Sequence, residues 1–422
     1  MSLQIFFVFY IAILLLIIYV YRNYRYNYAI TETFDTEKKD VKYDLKNLLH
    51  ESIFLKTMNG VKMGGIVKDN SNIFQYTYVD THIARPDTIN ELQNIIEKSY
   101  NANKRIRVRG GGYSCSGISV PKKNEVLMEM VKMNSYLFDQ VGSIVVGSGV
   151  YLTDLKRFLD VQGFELPIYP YGLDILDKIS PTVGGFVCTG GISPDSKTYG
   201  GFWNNVLEIT IIDGYGNKHV YNPNNEIFPW LFGSYGQLGV IALVKLKIIH
   251  KDKSKDFYPL GKKGIIEQFK FKLGDRKCFS YHILCSKDNV ETSQQKLENI
   301  IGEEYSSDED KKEFDIIIYY IKYNKFNPPL LYPNNSFYCV QAVQYVDEKD
   351  KIYKEKIKRI ENNFLKIMED HSLYRYPQTE YMDTNGLRDY YINRRVYDQF
   401  LIYKNRMDPK GILNYIDNFS EL

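Results

Sequence analysis

The chain has 422 residues, 44% of them hydrophobic, so it is long enough for several packed cores and too apolar to be wholly disordered. Its 54 Lys+Arg stand against 51 Asp+Glu, a net charge of +3. That balance argues against a dedicated nucleic-acid binder, which carries a stronger basic excess.

The five cysteines (Cys115, Cys188, Cys278, Cys285 and Cys339) are odd in number and form no Cys-x-x-Cys. Neither a disulfide framework nor a structural metal is expected, and a reducing compartment is favoured.

In chain order, the first element is the apolar run Ile5 to Tyr21. With Leu3 and Gln4 it gives roughly 28 Å of helix, close to one bilayer core. Arg22 and Arg25 follow at once, among Tyr21, Tyr24, Tyr26 and Tyr28. The run lacks a preceding positive charge and a small-residue cleavage site, so it reads as an uncleaved, single-pass membrane anchor. The flanking arginines place the rest of the chain in the cytosol. The sequons at Asn334 and Asn418 are then expected to carry no glycan. The charged stretch that follows, to about residue 50, reads as a tether.

Thr88 to Glu91 fits a capping box, and Ile89, Leu92, Ile95 and Ile96 share one helical face. Arg105 to Arg109 alternates as a short strand and runs into Gly110-Gly111-Gly112-Tyr113-Ser114. Ser143 to Gly149 reads as a strand. A helix follows, with Thr153 as its expected cap and Gly163 as its end. Val206 to Asp213 and Lys218 to Tyr221 flank a glycine-rich hairpin turn. Strand Val240 to Ile249 follows Gly233 to Gly239. Beyond His250 the chain changes character. Strand-like runs at 315–323 and 336–345 and an amphipathic helix near 353–368 read as a separate α+β lobe. A tyrosine-containing helix lies between Arg394 and Asn414.

Glycine-rich turns crowd the span from Gly110 to Gly239. Glycine lets a ligand approach the backbone, and successive N–H groups in such turns make anion-binding concavities. Two of them, Gly110 to Gly112 and Gly184 to Gly191, could grip a diphosphate from two sides. Neither a Gly-x-Gly-x-x-Gly nor a P-loop sequence occurs, so a Rossmann or P-loop site is not supported.

Taken in order, Arg85-Pro86, Arg107 to Ser114, Thr182-Val183-Gly184-Gly185, Gly190-Gly191-Ile192, Tyr199-Gly200, Asp213-Gly214 and Gly233-x-x-Gly236-x-Leu238-Gly239 resemble the flavoprotein family of vanillyl-alcohol oxidase and p-cresol methylhydroxylase. The closing Asp408-Pro409-Lys410-Gly411-Ile412-Leu413-Asn414 is similar to that family's last segment. The resemblance implies an α+β fold: a PCMH-type FAD-binding domain of two α+β subdomains plus an α+β cap. The implied division is anchor 1–30, tether 31–50, FAD-binding domain 51–250, cap or substrate domain 251–371, and a segment 372–422 returning to the FAD domain. It implies FAD contacts at Arg109, Gly110, Gly111, Gly112, Tyr113, Ser114, Pro181, Thr182, Val183, Gly185, Thr189, Gly190, Ser193 and Ile241. Many members carry a flavin-linked His where Tyr113 stands, and tyrosine cannot make that imidazole bond. FAD is therefore expected to be non-covalent. Valine at Gly111 or Gly185 is expected to abolish flavin retention more than folding.

Within the family, Thr189 to Phe202 looks most like membrane-anchored sterol side-chain reductases. The decaprenylphosphoryl ribose oxidases share the tyrosine but have a His where Gly191 stands, and the signature of the sugar-lactone oxidases is missing. The resemblance implies an FAD-dependent oxidoreductase that moves two electrons between flavin N5 and a small-molecule substrate, lipid-like or a sugar derivative, with an unidentified electron acceptor. A different reading is an inactive flavin-binding protein tethered to a membrane. Candidates for proton or charge chemistry are His282, Arg395 and Lys404, each set against a structural reading: a satisfied core histidine for the first, a solvated helix face for the other two.

Overall fold

The computed structural model describes residues 82–113, 119–121, 125–138, 142–170, 180–251, 277–304, 314–346, 353–370, 372–376 and 396–414, with the short strands 66–67 and 76–77. The expected anchor and tether lie outside these residues, as do Ser114 and Arg395. Among the described residues no helix is long and apolar enough to cross a membrane.

The first layer is a parallel sheet of β1 (His82–Ala84), β2 (Ile106–Arg109) and β3 (Val126–Glu129), with β3 in the middle. Parallel strands need a crossover, and α1 (Ile89–Asn101) supplies it between the two outer strands β1 and β2. Thr88 caps α1 by accepting from Glu91 N at 3.2 Å. The Glu91 carboxylate takes the amide of Asp87 at 3.0 Å, so the capping box closes one residue earlier than the sequence pattern implies. The expected stripe of Ile89, Leu92, Ile95 and Ile96 is buried.

The second layer is an antiparallel sheet in the order β8-β7-β9-β5-β4. Its strands are β4 (Tyr136–Phe138), β5 (Ser143–Gly147), β7 (Val206–Ile212), β8 (Lys218–Tyr221) and β9 (Val240–Lys247). The β7–β8 hairpin is braced by Asp213, whose Oδ1 accepts from the amides of Tyr215 at 2.9 Å and Asn217 at 2.8 Å. Helix α2 (Leu152–Gln162) covers this layer and ends at Gly163, whose φ of 78° suits a left-handed cap. Thr153 is not its cap. Tyr151 holds that position, and the Thr153 amide instead donates to Ser180 Oγ at 3.2 Å.

Helix α2 leads into the two-residue strand β6 (Phe164–Glu165), which pairs with β10 (Ile249–His250) just before the chain leaves for the second lobe. Glu165 is buried there, with Oε1 unpartnered among the described residues. Burial pushes its carboxyl up to about 7, against the opposing pull of Lys251. The unfolded carboxyl titrates near 4.5, so the folded state is penalised increasingly as pH rises from 4.5 to about 7, and constantly above. Glu165→Gln is expected to stabilise the protein by about 1–2 kcal/mol at pH 8, after allowance for the nearby lysines and solvent, and to change little near pH 4.5. Urea unfolding at both pH values checks this; an equal effect at both would refute it.

The second lobe is an antiparallel sheet in the order β12-β13-β11-β14. It comprises β11 (Lys277–Cys285), β12 (Phe314–Ile321), β13 (Phe337–Val346) and β14 (Tyr374–Arg375). Helices α4 (Val290–Gly302) and α5 (Tyr353–Ile367) pack on one face. Tyr281, Ile283, Leu297, Ile360 and Phe364 form part of the core between them. Residues from the other face, Leu284 and Cys339, join the large core of the antiparallel layer. The lobe expected from the sequence is thus a sheet with its own core on one side and a shared core on the other.

The chain returns through α6 (Tyr397–Met407), and Leu413 then bridges in parallel to Ile106 at the edge of the first sheet. Lys404 of α6 is buried, not solvated. Its ammonium donates to Asp408 Oδ2 at 2.6 Å, Gln237 O at 2.9 Å and Leu413 O at 3.2 Å.

Candidate cofactor cleft

Between the two sheets of the first part runs a cleft with about 1100 Å³ of space between its walls, the part open to solvent included. The glycine loop Gly110-Gly111-Gly112-Tyr113, which follows β2, forms one wall. Gly111 is there because a side chain cannot be: a Cβ would lie 2.3 Å from Ser180 O and 2.9 Å from the Tyr151 ring. The Arg109 side chain braces the loop from behind, since a Cβ on Gly112 would fall 2.1 Å from its guanidinium.

The wall adjoining it is Pro181, Thr182, Gly184, Gly185, Phe186, Cys188 and Thr189. The sequence reading made this a glycine turn. It is a helix, α3 (Val183–Cys188), with Thr182 as the cap that accepts from Gly185 N at 3.4 Å. Two glycines in six residues weaken a helix locally. Burial of Val183, Phe186 and Val187 in the large core offsets that cost.

The floor comes from β9 and the loops around it. The register of β9 on β7 shifts between Ile241 and Leu243. Ala242 O there accepts the amide of Ser148 at 2.9 Å. This irregularity turns Val240 and Ile241 to the cleft.

Of the residues expected at the cofactor, Gly110, Gly111, Gly112, Tyr113, Pro181, Thr182, Gly185, Thr189 and Ile241 line this one cleft. Arg109, Val183, Gly190 and Ser193 do not line it. Arg109 is the brace already described and donates to Ser119 Oγ at 3.2 Å. Val183 is fully buried in the core. Gly190 gives its carbonyl to the Tyr332 hydroxyl. Ser193 is a turn residue: its Oγ accepts from Asp195 N at 3.2 Å.

The sequence reading missed Ser148, Tyr235 and Asn414, which also line the cleft. Ser148 sits between Gly147 and Gly149, and a Cβ on either would strike the backbone at Met133 or Met130. That Gly-Ser-Gly was the available signal. Tyr235 and Asn414 left none, because each depends on the other. Both take positive φ, 52° and 41°. Asn414 Nδ2 donates to Tyr235 O, and Asn414 Oδ1 accepts the Val108 amide at 2.6 Å.

The catalytic candidates fare differently. His282 does not line the cleft. It is buried on β11 edge-on to Tyr376, 5.2 Å between centroids. Burial lowers its pKa to about 3, so it stays neutral at working pH. It is not the satisfied core histidine of the sequence reading, for Nδ1 has no partner among the described residues. Lys404, its charge shared among three oxygens, also lies outside the cleft lining.

No Asp, Glu, His, Lys or Arg lines the described cleft. Burial pushes the Cys188 thiol up to about 12, so it is no nucleophile at neutral pH. Among the described residues no group of three or more His, Cys, Asp or Glu could hold a metal ion. What the cleft offers is backbone amides, hydroxyls and apolar surface, the lining of a binding site for a large, flat, phosphate-bearing molecule.

Comparison with known proteins agrees. Residues 81–220 match the family model described as FAD binding domain. The chain carries an FAD binding domain. Two observations show that the cleft suits the group. Ser148 Oγ is a buried hydroxyl with no partner among the described residues. Among the described residues a Cβ on Gly185 would meet only Thr182 Oγ1, at 3.3 Å.

Over 194 residues the chain is 28% identical to the mitochondrial D-2-hydroxyglutarate dehydrogenase of Rattus norvegicus, covering 44% of this chain and 35% of that protein. It is 26% identical over 174 residues to the D-lactate dehydrogenase of Archaeoglobus fulgidus, covering 39% and 38%. It is 28% identical over 169 residues to the L-gulonolactone oxidase of Mus musculus, covering 39% and 36%. The chain thus spans about a third of the length of these curated relatives. The likeness to sterol side-chain reductases draws no support from them.

Proposed function

We propose that the protein is an FAD-dependent oxidoreductase that takes two electrons from a hydroxyl-bearing small molecule. The observation that carries this reading is the convergence of the glycine loop after β2, the capped start of α3 and the β9 irregularity on one cleft. The names of the relatives support the substrate class, since 2-hydroxyglutarate, lactate and gulonolactone each carry a hydroxylated carbon.

The chemistry that FAD supplies when bound is two-electron transfer through its ring system. This chain's own residues then have distinct tasks. The amides of the Gly110–Gly112 loop would hold a diphosphate, whereas those of Val183, Gly184 and Gly185 are already given to Val150 O, Ser148 O and Thr182 Oγ1, so α3 would supply surface and not donors; no lysine or arginine in the described lining would compete. Ser148 and Asn414 supply polar atoms at the floor, while Val240, Ile241 and Phe186 exclude water. The division into an FAD-binding domain, a substrate-covering lobe and a returning C-terminal segment belongs to the same proposal. So does tethering of a cytosolic enzyme to a membrane by the apolar run 5–21.

Purified full-length protein is expected to be yellow and to release its colour into the supernatant on acid precipitation, because Tyr113 offers no imidazole bond. Anaerobic addition of D-2-hydroxyglutarate, D-lactate or L-gulonolactone is expected to bleach the flavin with at least one of them. Colour retained by the pellet would overturn the non-covalent reading. A flavin that none of the three reduces would overturn the substrate class.

A further inference from the structure

The connection between β12 and β13, residues 322–336, does not stay with its own sheet. It crosses to the FAD binding domain and buries Leu330, Leu331 and Tyr332 in that domain's core. Polar bonds fasten it. Trp203 Nε1 donates to Phe326 O at 2.9 Å, and the Lys322 amide donates to Ser196 O at 3.1 Å. The Tyr332 ring stacks on Trp203 with 4.6 Å between centroids.

Two glycines receive the tip of this strap. A Cβ on Gly190 would lie 2.7 Å from a Leu331 methyl, and one on Gly233 would lie 2.5 Å from Leu331 Cγ. Both have positive φ, 60° and 80°, which glycine adopts without strain. The loops that carry them are joined, since the Gly233 amide donates to Cys188 O at 2.7 Å. Tyr332 donates its hydroxyl to Gly190 O on the same loop. Cys188 and Thr189 on one loop and Tyr235 on the other line the cofactor cleft.

We propose that Leu331 and Tyr332, carried by the second lobe, are positioning residues for the cofactor cleft, packing across and fixing the joined Cys188–Gly190 and Gly233–Tyr235 segments that form part of its wall. The second lobe therefore shapes the flavin site. The physical reason is close packing: interiors hold few voids, so a side chain seated against both segments sets where they stand. Removing it lets both relax into the gap. This inference rests on the FAD reading above, and its test separates the two.

In the full-length protein, Leu331→Ala is expected to speed FAD dissociation about tenfold, and Leu331→Met to restore it. Tyr332→Phe keeps the ring stack and loses the bond to Gly190, so a threefold increase is expected. Leu297→Ala serves as the comparison: it opens the second lobe's own core, so it should lower the thermal midpoint and leave FAD dissociation unchanged. Amide exchange in flavin-free protein provides the independent readout. Residues 188–190 and 233–235 are expected to exchange faster in Leu331→Ala and not in Leu297→Ala. The proposal is overturned if Leu297→Ala speeds FAD loss as much as Leu331→Ala, or if the two loops exchange at the wild-type rate in Leu331→Ala. Should Leu331→Ala not fold, Tyr332→Phe decides by the same two measurements. If wild-type protein takes up no FAD, the functional reading falls, and loop exchange alone decides the positioning role.

Discussion

Gly185→Val is expected to lower FAD affinity at least 100-fold, about 3 kcal/mol, while leaving the flavin-free fold nearly as stable as wild type. Gly185 lies in the first turn of α3, in backbone that any L-residue can adopt. Among the described residues the only atom near a Cβ there is Thr182 Oγ1 at 3.3 Å, so the new side chain goes into the cleft. Valine ranks above glycine as a helix former, and the fold loses little from the exchange. Flavin titration and urea unfolding of the flavin-free protein measure the two effects separately. Full flavin occupancy in the variant would sink the assignment of this wall to the cofactor.

Gly111→Val, which the sequence reading grouped with it, belongs to another class. Its Cβ would run into Ser180 O at 2.3 Å, so the loop itself must move. Flavin and stability are expected to fall together there.

The second large effect concerns Lys404. Lys404→Met is expected to cost about 3–5 kcal/mol of folding free energy, because it leaves the buried Asp408 carboxylate without its cation. Asp408 organises the final turn: its Oδ1 accepts from Ile412 N at 3.0 Å and its Oδ2 from Leu413 N at 2.8 Å. Burial lowers the Lys404 pKa and the adjacent Asp408 opposes that shift. The segment it secures ends in Asn414 at the cleft floor, so FAD retention is expected to weaken as well. Asp408→Asn in the Lys404→Met background removes the stranded charge and is expected to recover part of the loss. Denaturant unfolding of the two variants checks this; a single variant within 1 kcal/mol of wild type would show that the ion pair is not what holds the segment.

The local elements were legible in the sequence because their causes are local. Threonine before an apolar stripe starts α1, and Gly163 ends α2. Alternation makes β2, and the order of the glycine motifs pointed to FAD before any coordinates. The wall made by α3 was misread because a helix holding two glycines has no helical signal of its own. It forms because Val183, Phe186 and Val187 are drawn into the core.

What only the tertiary structure decided is which residues meet. Asn414 reaches Val108, 306 positions away, and no periodicity carries that information. Lys404 reads as surface on its helix until Gln237 O and Leu413 O close around it. His282 looks like a candidate base by residue type, and burial alone makes it neutral and takes it from the cleft. The sequence by itself pointed to FAD through its resemblance to a flavoprotein family, carried by the order of its glycine motifs. The depth of the site and the strap that shapes it depend on long-range packing, which chain order does not encode.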